Sequence, residues 1–137
     1  MVVAAAAAWT LTLLLAGSSH ASPGSTAAPD SWASASGAYR LGYRSQLEPI
    51  PINRIHTWML HLETASGDPV SDAELTVTGG MPAHDHGLPT RPQVTQHTGN
   101  GDYLLEGVRF HMNGYWEIVV EIRVDGRRDT VTIPLQL

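Results

Sequence analysis

The chain has 137 residues, with eight basic and thirteen acidic side chains for a formal net charge of -5, and no cysteine. That length holds one compact domain and a lead-in. The absent cysteines exclude disulfides, thiolate ligands and a lipid-modified cysteine, and the acidic balance without a single lysine argues against a nucleic-acid partner, which needs a basic patch.

Residues 2–16 are an uncharged run, apolar but for Thr10 and Thr12, followed by small residues in which Ser19 and Ala21 satisfy the signal-peptidase rule. A signal peptide over residues 1–21 is therefore expected, although no Lys or Arg precedes the apolar run. An apolar run of about 15 residues falls short of the roughly 20 that a spanning helix needs. No stable membrane span is expected, the competing reading being an uncleaved N-terminal tether. Residues 22–37 are small, polar and rich in Ser, Pro and Gly, too poor in apolar surface to offset the entropy of ordering, and read as a flexible linker.

From residue 38 onward the pattern is that of strands. Residues 54–64 alternate with His56, Trp58, Leu60 and Leu62 on one face, and that face is expected to turn to the core. A turn at Ser66-Gly67-Asp68-Pro69 precedes a second strand carrying Ala73, Leu75 and Val77, which ends at Gly79-Gly80. A Pro-rich loop over 81–92 follows, then a short edge strand near 94–97. Asn100-Gly101-Asp102 turns the chain into a strand over 103–108. Residues 115–124 give the cleanest alternation, with Trp116, Ile118, Val120 and Ile122 inward. Asp125-Gly126 is a tight hairpin into the last strand, where Pro134 predicts an edge or a bulge. Six or seven short strands at this spacing predict an all-β fold, an immunoglobulin-like β-sandwich over 38–137, with a closed barrel as the alternative.

The chemistry concentrates in Met81-Pro82-Ala83-His84-Asp85-His86-Gly87. Two imidazoles two residues apart in a loop or extended segment project to the same side, about 6 to 7 Å apart at Cα, and can share one ion. A thioether from Met81 would favour copper over zinc. Asp85 could orient a ring only if the loop curls. His84 and His86 are the expected primary metal ligands, Met81 and His56 the next, and His111 or Met112, in the connection before the Trp116 strand, after them. The alternative is that both loop histidines only hydrogen-bond backbone and Met81 packs as core. Met59 and His61 form an outward pair, read as a solvated face, and His97 is read as a surface residue. No Glu follows His86 as a cupin would need, and no nucleophile or general base is placed, so the chain is not expected to be an enzyme.

The segments Asn53-Arg54-Ile55-His56-Thr57-Trp58, Gly67-Asp68-Pro69-Val70, Gly80-Met81-Pro82-Ala83-His84-Asp85-His86-Gly87-Leu88-Pro89, Gly101-Asp102-Tyr103 and Phe110-His111-Met112-Asn113-Gly114-Tyr115-Trp116 resemble the FixH/YtkA-like family of small bacterial exported or membrane-anchored proteins. The resemblance implies an immunoglobulin-like β-sandwich outside the cytoplasm, periplasmic or secreted. FixH-like members are associated with assembly of copper-containing haem oxidases, which implies copper handling for Met81, His84 and His86. The short signal-like segment places the chain nearer the soluble YtkA-like branch. The expectation is a metal-binding, copper-handling or chaperone domain, with an envelope or membrane protein as a further partner. Its rival is an interaction or structural sandwich without metal.

Overall fold

The computed structural model describes residues 30–137. The expected signal peptide and residues 22–29 of the expected linker lie outside them. In chain order the strands are β1 (Ser31–Ala33), β2 (Tyr39–Ser45), β3 (His56–Thr64), β4 (Glu74–Met81), β5 (His86–Gly87), β6 (Gln93–Gly99), β7 (Asp102–Val108), β8 (Tyr115–Val124) and β9 (Arg127–Gln136). Among the described residues no helix is long and apolar enough to cross a membrane.

The strands form two antiparallel sheets, ordered β1-β2-β3-β7-β6 and β5-β4-β8-β9. With β2, β3, β4, β6, β7, β8 and β9 taken as A to G, these are the ABED and CFG sheets of an immunoglobulin-type sandwich. Period-two alternation decides which side of each strand faces the other sheet. Trp58, Leu60 and Leu62 of β3, Leu75 and Val77 of β4, Trp116, Ile118, Val120 and Ile122 of β8, and Val131, Ile133 and Leu135 of β9 are all buried between the sheets.

In antibody domains a disulfide ties strands B and F together. Here the corresponding strands carry tryptophans. Phe110 packs against both, its ring centre 5.9 Å from Trp58 and 5.2 Å from Trp116, so an aromatic column joins β3 to β8. Full burial of each large ring is worth on the order of 1.5 to 3 kcal/mol.

Local turn chemistry is as expected. Asn100-Gly101 and Asp125-Gly126 both hold positive φ at both positions, 52° and 79°, then 49° and 76°, the signature of a type I′ hairpin. β6 lies at the edge of its sheet, and β9, which carries Pro134, lies at the edge of the other, where a missing N–H is tolerated.

Two features depart from expectation. The folded domain reaches back beyond residue 38: Ser31–Ala33 pairs with β2, and the Trp32 ring stacks 5.9 Å from Tyr43. One indole in an otherwise small, polar stretch supplies the apolar contact that the average composition conceals. The strand Tyr39–Ser45 is also additional. Its inward residues Tyr39, Leu41 and Tyr43 alternate with Arg40, Gly42 and Arg44, and Leu41 is fully buried.

The antiparallel order sends β2, β4 and β7 toward the same end of the sandwich. The connections 46–55, 82–92 and 109–114 therefore gather there. Asn53 donates its N–H to the Phe110 carbonyl at 2.7 Å, and the Arg109 guanidinium donates to Asn53 Oδ1 at 3.2 Å, fastening the first connection to the third.

Candidate metal centre at one end of the sandwich

Within the expected Pro-rich loop, the sequence around His84 folds as a hairpin tip. Pro82 fixes φ at the second position of a turn, and the His84 N–H donates to the Met81 carbonyl at 3.0 Å to close it. Asp85 then takes the left-handed conformation, φ 51°, which short polar side chains tolerate. The chain returns as β5, with His86 opposite Met81 and Gly87 opposite Gly80. Asp85 makes no hydrogen bond to either ring among the described residues.

The hairpin nevertheless sets the two imidazoles side by side. Their ring centres are 6.2 Å apart with planes 19° from parallel, and both residues are exposed. A third imidazole joins them from the 109–114 connection: His111 lies 5.7 Å from His86, nearly perpendicular to it. The ring centre of His111 also lies 5.3 Å from that of Trp116, with the planes nearly perpendicular. Its Nδ1 is buried and has no hydrogen-bond partner among the described residues, an arrangement that costs about 1 to 3 kcal/mol in a folded chain.

A metal bound by imidazole nitrogen at about 2.0 Å sits about 3 Å from the ring centre, so two rings sharing an ion have centres about 4.5 to 6.3 Å apart. Both observed spacings fall within that range. Among the described residues no group of three or more His, Asp or Glu side chains is placed to hold a metal ion.

The remaining expected ligands fall differently. His56 is 3% exposed, and both ring nitrogens are committed. Trp58 Nε1, which can only donate, donates to His56 Nε2 at 3.1 Å. Nε2 is therefore the acceptor, and Nδ1–H donates to the Arg54 carbonyl at 3.1 Å. In this arrangement His56 has no lone pair for a metal.

Met81 is a core residue, 2% exposed. Cross-strand pairing sets it opposite His86, but the thioether side chain is buried while His86 is exposed. Met112 is half-buried against the core, and its carbonyl accepts the Trp116 indole N–H at 3.2 Å. His97, as expected, is exposed.

One cluster went unread in the sequence. His61 is not merely solvated: its Nδ1 is bonded to Asp102 Oδ1 at 2.7 Å, and its Nε2 lies 3.7 Å from Glu63 Oε2. The cross-strand register that joins them had no local signal.

The YtkA-like family model matches residues 43–121, more than half of the chain. The chain belongs to the YtkA-like family. The matched span contains the 81–87 hairpin, the 109–114 connection and both buried tryptophans, and ends before β9. No curated protein and no solved structure matches the chain.

Proposed function

We propose that this YtkA-like domain is a non-enzymatic metal-binding module of the bacterial envelope, periplasmic or secreted, with copper as the preferred ion. His84 and His86 are its primary ligands and His111 the third. The observation that carries the reading is the row of three imidazoles with ring centres 6.2 and 5.7 Å apart. One of them holds a buried nitrogen that no group among the described residues uses.

Imidazole suits copper and zinc alike, and the divalent affinity order puts Cu(II) above Zn(II) for the same donors. Two or three neutral imidazoles without a carboxylate leave a soft enough set for Cu(I) as well. Such a site, exposed at a hairpin tip, suits an ion that is taken up and handed on.

The test is calorimetric titration with Cu(II), with Cu(I) under reducing conditions and with Zn(II), of the wild type and of the His84→Ala/His86→Ala variant. Micromolar or tighter copper binding that the double variant loses is the expected result. No binding tighter than micromolar removes the proposal.

A second reading rests on a separate observation. The two large hydrophobic side chains most exposed in the domain, Ile55 at 62% and Tyr115 at 45%, adjoin His56 and Gly114 at this same end. They fit an envelope protein docking over the histidine loops, with or without metal. Capture of a partner that persists in chelator favours that reading.

A further inference from the structure

At the outward face of the five-stranded sheet, the register aligns Ser31, Gly42, His61 and Asp102 in one row across β1, β2, β3 and β7. Three of these carry polar side chains. Gly42 carries none, and above it lies a pocket of about 260 Å³, a gap in the side-chain ladder. Gly42 is buried although it faces outward.

The walls are sorted by charge. On β2, Arg40 and Arg44 flank Gly42 two residues away on either side. Arg40 leans toward β1, donating from Nε and Nη2 to Ser31 Oγ at 3.1 and 2.8 Å and from Nη2 to the Ser31 carbonyl at 3.0 Å. It forms no ion pair with Glu63, its direct cross-strand neighbour. Arg44 forms no ion pair among the described residues. On the β3 and β7 side stand Glu63 and Asp102, with His61 held between them.

The two guanidiniums thus bracket the gap along β2, and the two carboxylates stand on its β3 and β7 side. A simple anion would meet the carboxylates, and a simple cation the guanidiniums. Only a small solute carrying both charges matches both walls.

We propose that this pocket is a binding site for a compact zwitterion of the free amino acid class. Its carboxylate lies on Arg44 and its ammonium on Glu63 and Asp102. His61, fixed by Asp102, forms the floor between them. The site stands on the sheet face toward the end opposite the histidine loops and does not depend on any metal there.

The test is amide NMR of the isotope-labelled domain titrated with L-serine and, separately, with acetate and with methylammonium. Saturating shifts centred on Gly42, His61 and Asp102 are expected with serine alone. Arg44→Gln, an exposed change that leaves the fold intact, weakens binding about tenfold, the worth of a charge-assisted hydrogen-bonded pair. Gly42→Val fills the gap with a residue suited to strands and abolishes the shifts. Absence of shifts with serine at millimolar concentration, equal shifts with acetate or methylammonium, or unchanged affinity in Arg44→Gln would each overturn the assignment.

Discussion

The terminal methyl of Met81 lies 2.6 Å from where a Cβ on Gly114 would stand, so the end of β4 and the 109–114 connection interlock at this one point. Met81 sits opposite His86, and Gly114 follows His111 by three residues. The contact therefore fixes the hairpin carrying two imidazoles against the loop carrying the third.

Gly114→Ala should lower stability by at least about 1 kcal/mol, because φ there is +135° and an L-residue is strained in that region whatever the space. The Met81 methyl, at the end of a flexible chain, can swing aside. Adding Met81→Ala to Gly114→Ala should therefore fail to restore stability, and should add the roughly 2 to 5 kcal/mol of a core truncation. Urea melts of the three variants check this; full rescue in the double variant would show that crowding, not backbone strain, sets the cost.

His56 and His111 should separate stability from metal binding. His56→Phe leaves the Trp58 indole N–H unpaired in the core and should cost about 1 to 3 kcal/mol with an unchanged copper isotherm. His111→Phe removes an unpartnered buried nitrogen and should leave the melting temperature level or higher, while copper affinity falls about tenfold or more. Paired melts and titrations read both effects, and the reverse pattern would restore His56 as the ligand.

Trp58→Ala or Trp116→Ala should cost about 3 to 5 kcal/mol, a large part of the roughly 5 to 15 kcal/mol that holds a domain of this size. With no disulfide across the strands, the aromatic column has no covalent substitute. Little change in the thermal melt of either variant would contradict its role.

Acid should loosen the junction of β1 with β9. Partial burial raises the Asp129 pKa, but hydrogen bonds from Ser34, Ser36 and the Thr130 and Ser36 amides outweigh it and hold the carboxyl at about 2, against an ordinary 3.8. A carboxylate depressed in the folded state stabilises above its unfolded value, and that contribution fades as pH falls from about 4 to about 2. Melting temperature followed over this window should fall more steeply for the wild type than for Asp129→Asn, and parallel curves would sink the assignment.

Much of the fold was present in local pattern. The inward faces of β3, β4, β8 and β9, the two Asx-Gly hairpins and the edge positions of β6 and β9 follow from alternation, positive φ and missing donors, all of which act within a few residues. β1 and β2 escaped notice because their apolar residues, Trp32, Leu41 and Tyr43, are interleaved with serine, glycine and arginine, which dilutes the pattern. The loop histidines were visible as a pair because they are close in sequence.

The sequence by itself determined which residues are imidazoles in short connections and which strands bury a face, since side-chain chemistry and strand period are properties of neighbours along the chain. Only the tertiary structure decided that His111 stands beside His86 while His56 is bound to Trp58, and that Gly42 opens a gap between arginines and carboxylates. Those relations depend on cross-strand register and on three connections meeting at one end of the sandwich, and the backbone settles both only when the two sheets close over their common core.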